Sequence, residues 1–394
     1  MKKNIQIENY DAFVIGCGLT GCVIARYLAE EKNKKVLILE RRNHIGGNMY
    51  DYIDDNGVRV HQYGPHVFHT YTTELMEFME KYSQWNDFPI TCQVYMKDKF
   101  TPSPFNYQTI DDYYSTEDAK HLKEEIEKEY PGRDKATIVE LLESKNPVVK
   151  EYADFLFESD YSLYTAKQWG ISPSEIDPSV LKRVPVLFTY KDGYFDDTYQ
   201  KVPVNGYVGF FKNLLAHENI EYMLETDAME YLHIEGTDMY WENNKVNVPV
   251  IYTGAIDELV DCKYGKLPYR SLQFVWNTEQ DRHFQQAALV AYPEAEGYTR
   301  ITEYNHFPNQ IGKREKSSLA YEYPLMYDGN KEIEPYYPVL TTESMKLFET
   351  YKEELSKVDN LYLFGRLAEF KYYNMDQALQ SALEACKNVF SKIV

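Results

Sequence analysis

Residues 12–48 read AFVIGCGLTGCVIARYLAEEKNKKVLILERRNHIGGN, and this stretch decides the fold. The apolar runs 12–15 and 36–39 are each typical of a parallel strand buried on both faces. Between them lies a helical spacing of apolar residues, opened by the pattern Gly16-x-Gly18-x-x-Gly21. The second run ends at Glu40. The stretch therefore predicts a strand, a glycine turn, a helix and a second strand that ends in an acid.

Each part of this pattern has a physical role in binding a dinucleotide. The three glycines permit a tight turn, close approach of backbone to a pyrophosphate, and close packing of helix on strand. The helix N-terminus offers free N–H groups to the diphosphate. Glu40 follows Gly21 at the distance where a carboxylate accepts from ribose hydroxyls, which favours FAD or NAD over NADP. A second glycine turn at 46–47 suits FAD better than NAD, although alone it could be an ordinary turn.

Length and composition restrict the class of protein. A chain of 394 residues is long for one core, so two or three domains are expected. A net charge of -20 argues against nucleic acid as a partner and requires local cations around any anionic ligand. Five scattered cysteines suit a reducing compartment such as the cytoplasm, and no apolar run approaches the roughly 20 residues of a membrane helix. His66 and His69 lack further ligands at zinc spacing, so no metal site is predicted.

The rest of the chain predicts further units. Helical periods dominate 117–157 and indicate about three helices. Segments 272–276, 287–292, 298–303 and 318–323 alternate like an antiparallel sheet. The region 170–194 is rich in proline and is predicted to be a mobile lid, with a fixed crossover as the alternative.

Seven motifs in this order and spacing resemble the UDP-galactopyranose mutase family, nearly from end to end. They are GCGLTGCVIARYLAE, ERRNHIGGN, YGPHVFHT, YTAKQWG, LKRVPV, YTRITE and FGRLAEFKYYNMD. The resemblance implies an α/β fold in which a discontinuous Rossmann-like FAD-binding domain carries an inserted helical domain and a twisted antiparallel-sheet domain. The expected boundaries are 1–88, 205–262 and 344–394 for the FAD-binding domain; 104–182 for the helical domain, with the mobile loop at about 170–194; and 89–103, 183–204 and 263–343 for the substrate-binding sheet domain.

The resemblance also implies the site residues. Those matching the catalytic positions are Arg183, Arg300 and His66. Those matching the substrate site are Asn106, Tyr164, Thr165, Trp169, Arg183, Tyr194, Arg270, Arg300, Tyr323 and Tyr372. Those matching the cofactor site are Gly16, Gly18, Leu19, Thr20, Gly21, Glu40, Arg41, Gly46, Gly47, Asn48, His66, Gly365, Arg366, Tyr372, Asn374, Met375 and Asp376.

Two departures from the family pattern limit this transfer. The family commonly has Gly-Tyr-Thr before Lys-Gln-Trp, where this chain has Leu-Tyr-Thr at 163–165. The second aromatic that stacks on uracil is therefore open, with Phe157 and Tyr161 as candidates. Asn374 stands where many members have Asp, so a contact there would lose its charge and keep its hydrogen bond.

The implied chemistry is an interconversion of UDP-galactopyranose and UDP-galactofuranose, without net redox, in which reduced FAD acts as the nucleophile. The cofactor then carries the covalent step, and the protein needs no Ser, Cys or carboxylate nucleophile. The alternative is an FAD-dependent oxidoreductase of the amine-oxidase type, which would use the same nucleotide motifs. UDP-galactose is the expected small-molecule partner; nucleic acid and membrane insertion are not expected, and a homodimer is left open.

Overall fold

The computed structural model describes residues 5–169, 172, 181, 185–281, 283–312, 315–330 and 333–392. Its nucleotide-binding half is built on a five-stranded parallel sheet. The strands lie in the order Ile220–Met223, Val36–Leu39, Ala12–Ile15, Val250–Tyr252 and Leu361–Leu363. The two strands predicted around the glycine turn are confirmed; they pair with each other and with two strands from the middle of the chain, and the strand near the end of the chain pairs with Val250–Tyr252.

Both faces of this sheet are buried, which explains why its strands are continuous apolar runs. Ala12 and Val14 face one apolar core, whereas Phe13 and Ile15 face another. The first core is completed by three helices, Leu19–Lys32, Gly206–Leu215 and Met375–Asn388. The second is completed by a helix, Thr342–Leu355, and two small strands, Leu232–Glu235 and Asp238–Trp241; the strand Asn244–Lys245 pairs with the latter at the exposed edge.

Two glycines in the nucleotide turns have a steric reason to be glycine. A Cβ on Gly21 would lie 2.3 Å from the carbonyl oxygen of Gly16, so the helix could not pack this closely on the strand. Gly47 has φ +57°, and a Cβ there would lie 2.9 Å from the Cα of Gly18. The second glycine turn is therefore packed directly against the first, which brings two stretches of bare backbone together.

A helical region follows the first part of the chain. The three helices predicted between 117 and 157 are present, as Thr116–Glu129, Ile138–Leu142 and Pro147–Leu156. Side chains of Ser115 and Asn146 accept hydrogen bonds from the first turns of two of them. Two further helices, Tyr107–Tyr113 and Ser162–Trp169, extend the region, and the second continues directly from a π-helical turn, Phe157–Tyr161.

The third unit is a seven-stranded sheet. Its order is Tyr337–Pro338, Tyr269–Asp281, Lys316–Met326, Arg300–Glu303, Leu289–Ala291, Cys92–Met96 and Lys99–Ser103. The antiparallel pairings predicted among the segments 272–276, 287–292, 298–303 and 318–323 are confirmed, whereas Leu289–Ala291 and Cys92–Met96 run parallel. Nearly two hundred residues separate these two strands, so no hairpin turn imposes an antiparallel direction. Cys92–Met96 and Lys99–Ser103 form an antiparallel hairpin at the edge of the sheet.

The remaining elements are short. The strands are Asp51–Ile53, Arg59–His61, Phe68–Thr70, Trp85–Asp87, Lys135–Thr137, Pro185–Leu187 and Tyr199–Pro203. The helix Thr73–Glu80 has Thr72 as its N-cap. The C-terminal helix ends at Asn388 and is followed by a short helical turn, Phe390–Lys392. The boundaries of the three domains stay a prediction.

Candidate active site

Glu40 lies beneath the glycine turn, at the carboxyl end of Val36–Leu39. Its Oε2 accepts a hydrogen bond from the backbone N–H of Cys17 at 2.8 Å, and its Oε1 accepts from Arg42 N–H at 2.9 Å. Only 6% of the residue is exposed. A carboxylate has about four acceptor sites, so two remain for hydroxyl donors such as those of a ribose. This position fits the predicted role.

Arg42, which the sequence interpretation did not select, lies beside this acid. Its guanidinium carbon is 4.6 Å from the centre of the Tyr63 ring, and its Nη2 donates to Asn48 at 2.9 Å and to Glu334 at 2.6 Å. Burial works to lower the pKa of Arg42, but the charge of Glu334 outweighs it and the pKa is raised. Its Nη1 is buried with no partner in the described part of the chain. A buried N–H group without an acceptor, next to the acid predicted to bind ribose, is suited to donate a hydrogen bond to a bound cofactor.

Other predicted cofactor residues meet at the same edge of the parallel sheet. A Cβ on Gly365 would lie 3.4 Å from Thr20 Oγ1, so the turn after the last strand touches the first helix. Asn374 immediately precedes the C-terminal helix, and its N–H donates to Gln377 Oε1 at 2.9 Å. Arg41 is paired with Glu334 at 2.9 Å. Leu19, Met375 and Asp376 belong to the two helices that meet here.

His66 lies in the loop between the strands Arg59–His61 and Phe68–Thr70. Its backbone N–H donates to His61 Nδ1 at 3.0 Å, and its own Nδ1 is 2.7 Å from the carbonyl oxygen of Gly64. Because a carbonyl can only accept, Nδ1 carries the proton and Nε2 keeps its lone pair. Burial lowers the pKa of His66 to about 4, and the charges of Arg366 and Arg300 act in the same direction. His66 is therefore neutral at pH 7 and lies near both arginines.

Arg300 is held by a buried carboxylate. It lies on Arg300–Glu303 directly opposite Glu322 on the neighbouring strand, and its Nε donates to Glu322 Oε2 at 2.7 Å. Glu322 is 4% exposed. Burial alone would lower the pKa of Arg300, but the negative charge of Glu322 raises it instead. In the described part of the chain no group accepts from Nη1 or Nη2, so the outer fork of the guanidinium is available to an anion.

Two predicted tyrosines surround this arginine. Burial raises the pKa of the Tyr164 phenol, and the nearby positive charge of Arg300 opposes that rise. Burial likewise raises the pKa of Tyr194, which is close enough to Arg300, Glu322 and Tyr337 to respond to each. Both phenols are thus neutral at pH 7, can donate hydrogen bonds, and are close enough to Arg300 to respond to its charge.

Tyr337 is a residue that sequence reasoning missed. Its ring stacks on Tyr372 with centroids 4.4 Å apart and planes 17° apart, and the guanidinium of Arg366 lies 4.3 Å from its centre. Burial raises the pKa of Tyr372, and Arg366 and Arg270 act on it in the opposite direction. The signal in the sequence was the pair Tyr336-Tyr337 between two prolines, which place an extended segment at a sheet edge.

Tyr323, predicted for the substrate site, lies on the other face of the strand that carries Glu322, and its contact with substrate stays a prediction. Successive side chains of a strand point to opposite faces, so Tyr323 points away from the face that carries Glu322. Its ring contacts Tyr298 instead, with centroids 5.9 Å apart.

The helix Ser162–Trp169 is tied to the loop that leads into Arg300. Lys167 Nζ donates to three backbone carbonyls of that loop, those of Tyr292 at 2.5 Å, Ala295 at 2.9 Å and Tyr298 at 2.8 Å. Burial lowers the pKa of Lys167 to about 8. Thr165, on the same helix, is 8% exposed. This lysine therefore sets the distance between the helix that carries Tyr164 and the strand that carries Arg300.

Asn106 has a structural task in the described contacts. Its Oδ1 accepts from Gln108 N–H at 2.8 Å as a helix cap, and its Nδ2 donates to the carbonyl of Lys191 at 3.0 Å. Its predicted contact with substrate stays a prediction. Arg183, the side chain of Trp169 and most of the predicted lid lie outside the described residues. Within the described ranges there is no cluster of metal-ligating side chains and no helix long and apolar enough to cross a bilayer.

The fold and this site together define a Rossmann-type dinucleotide-binding protein with a second, cationic and tyrosine-rich cleft. Comparison with known proteins gives the family. The model of the family described as UDP-galactopyranose mutase matches residues 160–372, and that of the NAD(P)-binding Rossmann-like domain matches residues 14–82.

Whole-chain relatives agree with the family match. The chain is 32% identical to UDP-galactopyranose mutase of Mycoplasma genitalium, over 98% of this chain and 96% of the relative. It is 34% identical to dTDP-fucopyranose mutase of Escherichia coli, over 96% of this chain and 98% of the relative. A crystal structure of reduced UDP-galactopyranose mutase has the same fold, with a TM-score of 0.69 at 17% identity over 97% of this chain and 94% of that one. The chain belongs to the UDP-galactopyranose mutase family, and the predicted family resemblance is confirmed.

Proposed function

We propose that the protein interconverts the pyranose and furanose forms of a nucleoside-diphosphate sugar, with UDP-galactose as substrate and FAD, held reduced, as cofactor. The observation that carries this proposal is the arrangement around Arg300. A guanidinium fixed by a buried acid, with its outer fork open and neutral phenols of Tyr164 and Tyr194 beside it, matches a diphosphate.

The cofactor site supports a flavin dinucleotide in particular. Glu40 keeps free acceptor sites for an unphosphorylated ribose, and the contact of Gly47 with Gly18 leaves bare backbone for a pyrophosphate. The unpartnered Nη1 of Arg42 offers a further donor. His66 would sit against the flavin ring as a neutral group, with Arg300 and Arg366 near it.

The side chains of this protein would bind, orient and shield the substrate. Reduced FAD, when bound, supplies the nucleophile for the anomeric carbon, so the protein needs no nucleophilic side chain. Arg300 would hold the diphosphate and stabilise the charge that builds up as it leaves the sugar. Tyr194, Tyr337 and Tyr372 would donate to phosphate oxygens. Arg183, on the predicted lid, would bring a second cation and help to exclude water.

The test is turnover of UDP-galactofuranose by the purified protein with its flavin either reduced by dithionite or oxidised. We expect UDP-galactopyranose to appear only with reduced protein, with no net consumption of reductant. Equal turnover by oxidised protein, or by protein stripped of flavin, would reject the proposal. Oxygen consumption with amine substrates tests the amine-oxidase alternative, which membership in the mutase family does not favour.

A second substrate deserves the same assay. The relative from Escherichia coli is named for dTDP-fucopyranose, and its 34% identity to this chain is similar to that of the UDP-galactopyranose mutases. The two substrates differ at the 5-position of the base, at the 2′-position of the nucleoside and at C6 of the transferred sugar. Comparing kcat/KM for UDP-galactofuranose and dTDP-fucofuranose decides between them.

The partners and compartment complete the proposal. All five cysteines are free thiols, which suits a reducing compartment such as the cytoplasm. The net charge of -20 disfavours nucleic acid. Sedimentation of the purified protein would test the homodimer left open by the resemblance.

A further inference from the structure

Asp160 is a buried acid at the start of the helix that carries Tyr164. It lies in the π-helical turn Phe157–Tyr161, where the N–H of Ser162 donates to the carbonyl of Phe157, five residues back. Such turns are rare inside helices and occur often at functional sites. Asp160 is only 7% exposed.

The carboxyl of Asp160 has no hydrogen-bond partner in the described part of the chain. The cation that influences it most is Lys167, but Lys167 Nζ already donates to three carbonyls of the loop 292–298. No ion pair joins the two side chains. Burying a carboxyl without a hydrogen bond is costly, so a position of this kind is normally completed by a bound group.

The residues that share a helix face with Asp160 indicate which bound group could contact it. Asp160 precedes Tyr164 by about one helical turn and Lys167 by about two, so all three follow one face. The phenol of Tyr164 responds to the charges of both Asp160 and Arg300. Asp160 therefore shares a helix face with Tyr164, whose phenol is within electrostatic reach of Arg300.

We propose that Asp160 reads the base of the nucleotide sugar by pairing with the imide edge of a uracil or thymine. The carboxyl O–H donates to the base carbonyl O4, while the other carboxyl oxygen accepts from N3–H. This inference rests on the proposed function, which puts a pyrimidine nucleotide against Tyr164. It assigns a polar contact to the segment 157–161, where the sequence suggested only Phe157 and Tyr161 as aromatic residues that could stack on the base.

The protonation state of Asp160 suits this pairing. Burial raises its pKa to about 7, with Lys167 acting in the opposite direction. The other titratable groups around it are Tyr161 and Tyr164 on its own helix and Tyr113 on a neighbouring helix. Burial raises the pKa of all three phenols, so they stay neutral. Lys167, whose pKa is lowered to about 8, begins to lose its charge at the upper end of this range, and because it titrates in Asp160→Asn as well, that variant controls for it.

A pH dependence follows from the two forms of the acid. Below pH 7 the neutral acid both donates and accepts, as the imide edge requires. Above pH 7 the carboxylate can only accept, and its charge faces the lone pairs of the base carbonyls. Affinity for UDP-galactopyranose should therefore fall as pH rises through about 7, and Asp160→Asn should remove this fall, because an amide donates and accepts at every pH.

The experiment is calorimetric titration of oxidised protein, which binds without turnover, with UDP-galactopyranose and with its N3-methyl analogue at pH 6 and pH 8. Asp160→Asn and Asp160→Leu are compared with the unmodified chain, since both have nearly the size of Asp. At pH 6 we expect Asp160→Leu to bind UDP-galactopyranose about tenfold more weakly, the loss of two hydrogen bonds. The N3-methyl group should weaken binding to the unmodified chain by a similar factor and to Asp160→Leu hardly at all.

Equal effects of the methyl group on the unmodified chain and Asp160→Leu would overturn the inference, as would full affinity of Asp160→Leu at pH 6. If Asp160→Leu does not fold, tight binding of the N3-methyl analogue to the unmodified chain overturns it alone. Turnover of UDP-galactofuranose by the same preparation separates the two proposals. If the enzyme is active but neither Asp160→Leu nor the N3-methyl group weakens binding, only the role of Asp160 is contradicted. If the protein neither binds nor converts the substrate, the role of Asp160 and the proposed function are both contradicted.

Discussion

Arg300 and Glu322 are register partners on neighbouring antiparallel strands, joined by a hydrogen bond of 2.7 Å from Nε to Oε2. This geometry uses the inner nitrogen of the guanidinium and leaves the outer two. The acid is almost fully buried, so the pair is fixed by the sheet itself. Glu322 thus acts on the proposed substrate through Arg300, as a positioning residue.

Replacing Glu322 should impair turnover more than stability. In Glu322→Gln the amide oxygen can still accept from Arg300 Nε, so we expect a small decrease in kcat/KM. In Glu322→Ala this acceptor is missing and the Arg300 side chain is free to rotate. A hydrogen bond to a charged group is worth about 1.5–3 kcal/mol, which corresponds to a fall in kcat/KM of roughly 10- to 100-fold for the Ala variant. Steady-state kinetics with UDP-galactofuranose measure this. Near-normal kcat/KM in Glu322→Ala would exclude the positioning role.

Lys167→Met should weaken substrate binding by releasing the Tyr164 helix from the loop 292–298. Three charge-assisted hydrogen bonds are lost, and the three carbonyls must find water. We expect KM to rise about tenfold or more, with a smaller change in kcat, and partial rescue in Lys167→Arg. Lys128→Met is the matched control, because Lys128 forms an exposed pair with Glu125. If KM rises no more in Lys167→Met than in Lys128→Met, the hydrogen bonds from Lys167 to the loop 292–298 do not position the Tyr164 helix for substrate binding.

Removing the hydroxyl of Tyr337 or Tyr372 should keep their stacked rings and lose a donor to phosphate. We expect kcat/KM to fall roughly 3- to 10-fold in Tyr337→Phe and in Tyr372→Phe, as expected for one hydrogen bond each. Tyr323→Phe is the control on the opposite face of the sheet and should remain close to the unmodified enzyme. If Tyr323→Phe were the most impaired of the three, the assignment from the stacked pair would be wrong.

Two buried histidines should make the fold sensitive to mild acid. Burial lowers the pKa of His61 well below its usual value, and lowers that of His66 to about 4. In the unfolded chain both bind protons near pH 6.5, so stability is full above that pH and is lost as pH falls toward 4. Each contributes a slope of about 1.4 kcal/mol per pH unit in that window.

Urea unfolding at several pH values between 7 and 5 measures this slope. His61→Gln should reduce it by the contribution of one proton, while His233→Gln, at an exposed strand, should leave it unchanged. An unaltered slope in His61→Gln would mean that His61 stays protonated in the folded protein.

Local patterns predicted much of the fold and the cofactor half of the site. The buried strands around Gly16 and the acid at Glu40 follow from short-range spacing, which a sequence displays directly. The pairing of distant strands is not displayed in this way, and local spacing therefore did not single out Tyr337, which stacks on Tyr372. Glu322 was missed because a single acid in an apolar strand has no local signature; its partner is 22 positions earlier in the chain. Arg183 and the lid remain predictions from proline content and family resemblance.

The strand order of the parallel sheet also limits when this part of the protein can fold during synthesis. Its edge strand, Leu361–Leu363, pairs with Val250–Tyr252, and the helix behind it comes still later. The sheet that would receive the cofactor therefore cannot close until almost the whole chain has left the ribosome. The helical region, drawn from one continuous stretch, can form long before. A chain interrupted before residue 361 should contain folded helices and yet have no place to keep its flavin.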